Sequence, residues 1–132
     1  MNRESDEAVV RSRRLDVIRE LLTIFQECSH ENWDNEEAYP ISARTVQEAV
    51  KFLNALPVTI ETPEVIPEPM GAIGFEWRGE GNSVFVASVH GTRKITYAGL
   101  FGSGVTTHGS EDFDDAIPGE IVASLRRLRD TA

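Results

Sequence analysis

The segment from Gly71 to His108 admits few folds. Ala72–Trp77, Val84–Val89 and Lys94–Leu100 are short apolar runs. The breaks between them, Arg78–Asn82 and His90–Arg93, are hairpin-length and carry glycine. Three such runs in succession read as an antiparallel meander. In the first, Ile73, Phe75 and Trp77 share one face, and Ala72, Gly74 and Glu76 share the other. The second is apolar on both sides, with Val84 and Val86 against Phe85, Ala87 and Val89. That places it at the centre of the sheet, with both faces covered or nearly so. After the loose Gly102-Ser103-Gly104, Val105–Thr107 reads as a fourth, short strand. Val65-Ile66 reads as a further strand, confined to an edge by the prolines around it.

The flanking apolar residues recur at helical spacing. Leu15, Ile18, Leu21, Leu22, Phe25 and Cys28 lay a stripe along a helix from about Ala8 to Cys28, behind a frayed start over residues 1–7. Ser42 caps a second helix carrying Val46, Ala49, Val50, Leu53 and Leu56, with Phe52 on its flank, and Pro57 ends it. A third helix starts near Pro118, with Ile117, Ile121, Val122, Leu125 and Leu128 as its stripe. The expected class is α+β: an antiparallel meander of three to five strands packed against two or three helices, mainly on one face. At 132 residues the chain is one domain, 1–132, able to bury a core without staples.

Charge narrows the partners. A formal net charge of -9 repels phosphate backbones, so no nucleic-acid partner is expected. No apolar run approaches the roughly 20 residues that span a bilayer, and no membrane partner is expected either. The start, Met1 to Glu7, shows no apolar signal region, and the lone Cys28 permits no intrachain disulfide. Both point to the cytoplasm.

The usual carriers of chemistry are absent as motifs. Cys28 with His30, His90 and His108 lacks the paired spacing of a zinc site. Glu111, Asp112, Asp114 and Asp115 depart from the EF-hand pattern and read as an acidic loop before the third helix. Gly99–Gly104 lacks both the Gly-Lys-Ser/Thr and the following helix of a phosphate loop, and Phe101 stands where a nucleophile elbow needs glycine. A Ser103, His108, Asp112 triad has no support in its spacing. The expectation is no metal, no cofactor and no catalytic residue. Trp33 and Tyr39, two large rings in the hydrophilic Ser29–Pro40 segment, anchor that loop either on the core or on a partner.

One wider pattern is present. Asn32-Trp33-Asp34, Pro40-Ile41-Ser42, Phe52-Leu53 with Leu56-Pro57, Gly71 with Ile73 and Phe75-Glu76-Trp77, Tyr97-Ala98-Gly99, His108-Gly109 and Ile117-Pro118 together resemble a group of small bacterial proteins with no established activity. The group often reads Asn-Trp-Asp-Gly-Tyr-Gly-Ala where this chain has Asn35-Glu36-Glu37. The resemblance covers about residues 30–128 and implies a bacterial cytoplasmic origin. The functional expectation is a non-catalytic protein-interaction module, with Trp33, Asp34, Tyr39, Phe101, His108 and Asp112 as partner-binding residues. The alternative is a small-ligand-binding protein or hydrolase-like enzyme using His108, Asp112 and His90, which requires them to converge in a pocket. A homo-oligomer through an open sheet edge or the first helix fits either.

Overall fold

The computed structural model describes the backbone of residues 3–102 and 104–130, and the side chains from Glu7 onward. Two helices come first, α1 (Arg3–Cys28) and α2 (Ala43–Ala55). Five strands follow: β1 (Glu64–Pro67), β2 (Ile73–Arg78), β3 (Val84–Val89), β4 (Lys94–Phe101) and β5 (Val105–Asp112). Helix α3 (Gly119–Asp130) closes the described chain. The strands form one antiparallel sheet in the order β1-β2-β3-β4-β5, so the fold is the expected α+β meander.

Local chemistry sets the element ends. Ser42 adopts an extended conformation and its Oγ accepts the Thr45 N–H at 3.1 Å, capping α2. Leu56, ahead of Pro57, is extended and stops it. The Pro118 carbonyl accepts the Ile121 and Val122 N–H groups to open α3. Pro63 and Pro67 bracket β1 and limit it to an edge.

The register sorts the strands into two faces. Val65, Phe75, Ala87, Tyr97 and Gly109 form one cross-strand row; Trp77, Phe85, Gly99 and Thr107 form another on the same side. Helices pack on this side only. The Phe52 ring of α2 stacks on Phe75 at 4.5 Å, with Trp77 at 6.2 Å and Phe113 at 6.0 Å around it. The Trp77 indole N–H donates to the Glu61 carbonyl at 2.7 Å, so this core ring has its polar atom satisfied. Leu125 and Leu128 of α3 close over the Trp77 end.

Four sequence expectations are corrected. Residues 3–7, read as frayed, belong to α1. On α1, Leu21 and Cys28 face the core as expected, but Leu15 and Leu22 are 57% and 55% exposed; Ile24, off the expected stripe, is buried instead. β5 runs eight residues, well beyond the expected Val105–Thr107, so Glu111 and Asp112 belong to a strand. Strand β3 is central, yet helices cover only its Phe85–Ala87–Val89 face; on the other face Val84 and Val86 are partly exposed and Ser88 is buried beneath the Glu68 carboxylate. A run that is apolar on both sides fixes a strand's place in the sheet more firmly than it fixes the number of layers.

Candidate partner-binding surface

The uncovered face of the sheet is built row by row from the alternate residues. Glu64, Glu76, Val86, Ala98 and His108 lie side by side across all five strands. Ile66, Gly74, Ser88, Thr96 and Ser110 form the next row. Arg78, Val84, Leu100 and Thr106 form the row on the other flank. Val84, Val86, Ala98 and Leu100 thus make an apolar centre. Around it stand Glu64, Glu68 and Glu76 on the β1–β2 side and Thr106, His108 and Ser110 on β5. The Ser88 hydroxyl donates to the Glu68 carboxylate, which lies across Gly74. Arg78 pairs with Glu76 at 2.9 Å.

At one corner Lys94 donates to Asp112 at 2.8 Å. That hydrogen bond, then the charge itself, holds the Asp112 carboxyl below its ordinary pKa and raises that of Lys94. His108 makes no hydrogen bond or ion pair among the described residues and stands exposed in the middle of β5.

The expected partner residues divide. His108 and Asp112 are on this open face. Phe101 is not a surface residue: it is 5% exposed, faces the helices, and carries the Arg127 guanidinium 4.6 Å above its ring. Trp33 and Asp34 hold a loop together. The Trp33 ring packs on the core and its N–H donates to the Tyr39 carbonyl at 2.7 Å. Asp34 Oδ1 accepts the Glu36 and Ala38 N–H groups at 2.8 and 3.0 Å, and Asn32 Oδ1 accepts the Glu37 N–H at 2.8 Å. Tyr39 is 61% exposed; its backbone N–H donates to Pro69, beside Met70. This loop lies apart from the His108–Asp112 strand.

The expected catalytic set does not converge. His108 and Asp112 are four residues apart on one strand, about 13 Å. His90 follows β3, with Nε2 2.9 Å from the Thr96 hydroxyl, and Asp112 is engaged by Lys94. Ser103 lies outside the described residues. Among the described residues no three His, Cys, Asp or Glu side chains gather to hold a metal ion.

A feature with no sequence motif is a cleft of about 420 Å³ between α2 and the β3–β4 turn, lined by Arg44, Gln47, Glu48, Lys51, Arg93 and Asp114 among others. Glu48 is buried here and fastens the turn, accepting the Gly91 and Arg93 N–H groups at 3.2 and 3.0 Å. Lys51 approaches Asp114 and Asp115 only at 4.0 and 3.8 Å, and neither the Arg44 nor the Arg93 guanidinium has an ion-pair partner among the described residues. The one legible signal was the charge of Arg44 and Lys51, seven residues and two turns apart on one helix face.

Comparison of the chain with protein-family models, curated proteins and solved structures gives no significant match. Among the described residues no helix is long and apolar enough to cross a membrane.

Proposed function

We propose that the chain is a non-catalytic protein-interaction module of the bacterial cytoplasm whose partner covers the open face of the sheet. One observation carries this reading: all helices pack on one side, leaving Val84, Val86, Ala98 and Leu100 as an apolar centre ringed by Glu64, Glu76, Arg78, Thr106 and His108. An apolar middle with a polar rim is the anatomy of a specific protein interface. The acidic β1–β2 side favours a partner with basic residues at that edge. The scatter of His90, His108 and Asp112 removes support from the hydrolase-like alternative.

The test is capture of partners by the wild-type chain and by Val86→Lys and Leu100→Asp, with folding checked by circular dichroism. A stoichiometric partner lost in both folded variants is the expected result. A partner retained by both overturns the assignment of the face.

The small-ligand alternative keeps one supporting observation, the α2 cleft with its two unpaired guanidinium groups. It predicts that inorganic phosphate or citrate raises the melting temperature of the wild type and not of Arg44→Ala.

A further inference from the structure

Arg11, Arg14, Leu15 and Ile18 stand at i, i+3, i+4 and i+7 on α1, so two guanidinium groups share one helix face with two aliphatic side chains. Asn54, near the C-terminal end of α2, lies across from them. These five residues line a hollow of about 370 Å³, a volume in the range of small-molecule sites. No carboxylate lines it.

Arg14 is the group left unsatisfied. It is 8% exposed. One terminal nitrogen donates to the Pro57 carbonyl at 2.6 Å, while the buried Nε has no hydrogen-bond partner. Burial, then the like charge of Arg11, holds its pKa below the ordinary arginine value. Neither guanidinium has an ion-pair partner among the described residues. The neighbouring acids of α1 do not serve it: Asp16 turns to Arg19 at 3.5 Å, and Glu7, one turn ahead of Arg11 on the same face, does not line the hollow. The chain holds 22 acids against 13 lysines and arginines, so the missing counter-ion does not reflect a shortage of carboxylates. A buried cation beside a second cation is costly until an anion joins them.

The lining says what kind of anion fits. A guanidinium fork matches the oxygens of a carboxylate or a phosphate group. The Asn54 amide makes no side-chain hydrogen bond among the described residues and offers a further donor. Leu15, 57% exposed, and the partly buried Ile18 continue the same wall with no polar atom. A bare inorganic ion would use the cationic end and leave that wall in water. A molecule with an oxyanion at one end and an apolar body at the other uses both.

We propose that this hollow binds a small organic acid, its carboxylate or phosphate-monoester group held by Arg11, Arg14 and Asn54 and its apolar body lying along Leu15 and Ile18. The site is on the helix-covered side of the sheet, away from the open face, so it and the partner proposed above stand or fall separately. It also shares no residue with the Arg44–Arg93 cleft.

The test is titration of the full ¹⁵N-labelled chain with hexanoate, hexyl phosphate and inorganic phosphate, against sodium chloride at matched ionic strength. The readouts are the Arg14 Nε–H resonance in NMR and the melting temperature. Hexanoate or hexyl phosphate is expected to shift the resonance and raise the melting temperature, and the tighter of the two names the head group. Arg11→Gln, at an exposed position, is expected to stay folded and to bind about tenfold more weakly, as loss of one hydrogen bond to a charged group implies. Leu15→Asn is expected to weaken the hexyl ligands and not inorganic phosphate. Arg44→Ala is expected to bind as the wild type does. An Arg14 resonance that none of the three probes moves beyond the salt control overturns the proposal, as does binding that Arg11→Gln leaves intact. Inorganic phosphate binding as tightly as the hexyl ligands overturns the apolar half of the site. Binding lost in Arg44→Ala overturns the location and returns the anion to the α2 cleft.

Discussion

Glu48→Ala is the perturbation that most directly probes how the helices and sheet are fastened together. Glu48 lies on α2 at 7% exposure, and its two carboxylate oxygens separately accept the Gly91 and Arg93 N–H groups of the β3–β4 turn. Both turn residues hold positive φ, +74° at Gly91 and +61° at Arg93, so the turn is set in a shape that the carboxylate clamps. A hydrogen bond to a charged acceptor contributes about 1.5–3 kcal/mol. Arg93 is exposed, so water recovers much of its share after truncation; Gly91 is buried, and its N–H is left without a partner. The expected destabilisation is therefore about 2–4 kcal/mol, with one full loss and one partial. Glu48→Gln keeps the shape and one carbonyl acceptor and should cost about half as much. The assay is urea unfolding followed by tryptophan fluorescence, requiring an unchanged m-value so that the shift reports stability. Amide exchange at Gly91 and Arg93 should accelerate in Glu48→Ala. A loss below about 0.5 kcal/mol, the range of ordinary surface substitutions, would refute the clamp.

The two tryptophans should part company. Trp77→Ala should destabilise by about 3–5 kcal/mol, the range for emptying a core aromatic site; an unaltered melting temperature would remove Trp77 from the core. Trp33→Ala should cost about 1–3 kcal/mol, from lost packing and the lost bond to Tyr39, and leave partner capture intact. Capture lost at unchanged stability would return Trp33 to the binding surface. Glu37 holds φ +68°, where the pattern this loop resembles carries glycine; Glu37→Gly should stabilise by about 0.5–1 kcal/mol by thermal melting, and a loss would show that the left-handed backbone there is unstrained. Because Lys94 lowers the Asp112 pKa, their contribution to stability is present above the ordinary aspartate range and is lost as pH falls through the lowered value. Lys94→Met should move the Asp112 carboxyl titration upward in NMR, and an unmoved titration would refute the pairing.

Whatever depends on neighbours along the chain was legible in the amino-acid sequence. The alternation of Ile73, Phe75 and Trp77, the glycine-bearing breaks, the Ser42 cap and the Pro57 stop are short-range physics, and together they specify an α+β meander. Less visible was β5. Val105 to Asp112 is too polar to show a period-2 pattern, and it is a strand because β4 offers it an edge to pair with. The candidate site was legible only in part: His108 and Asp112 lie on the open face of one strand without converging, while Phe101 is core and Trp33 and Asp34 hold a loop together. Nothing in residue type distinguishes an aromatic that anchors from one that binds.

Tertiary structure alone decided which apolar surfaces stay exposed. The residues of α1 lay out one broad apolar stripe and do not state which edge of it faces in. Packing on α2 and β1 selects Leu21, Ile24 and Cys28 and leaves Leu15 and Leu22 in water. The residues of β3 likewise state two apolar faces, and helix placement covers only one. Burial is a long-range outcome, settled by what the rest of the chain has left to pack with. Here three helices are consumed on one side of five strands, and the other face of the sheet is left for the proposed partner.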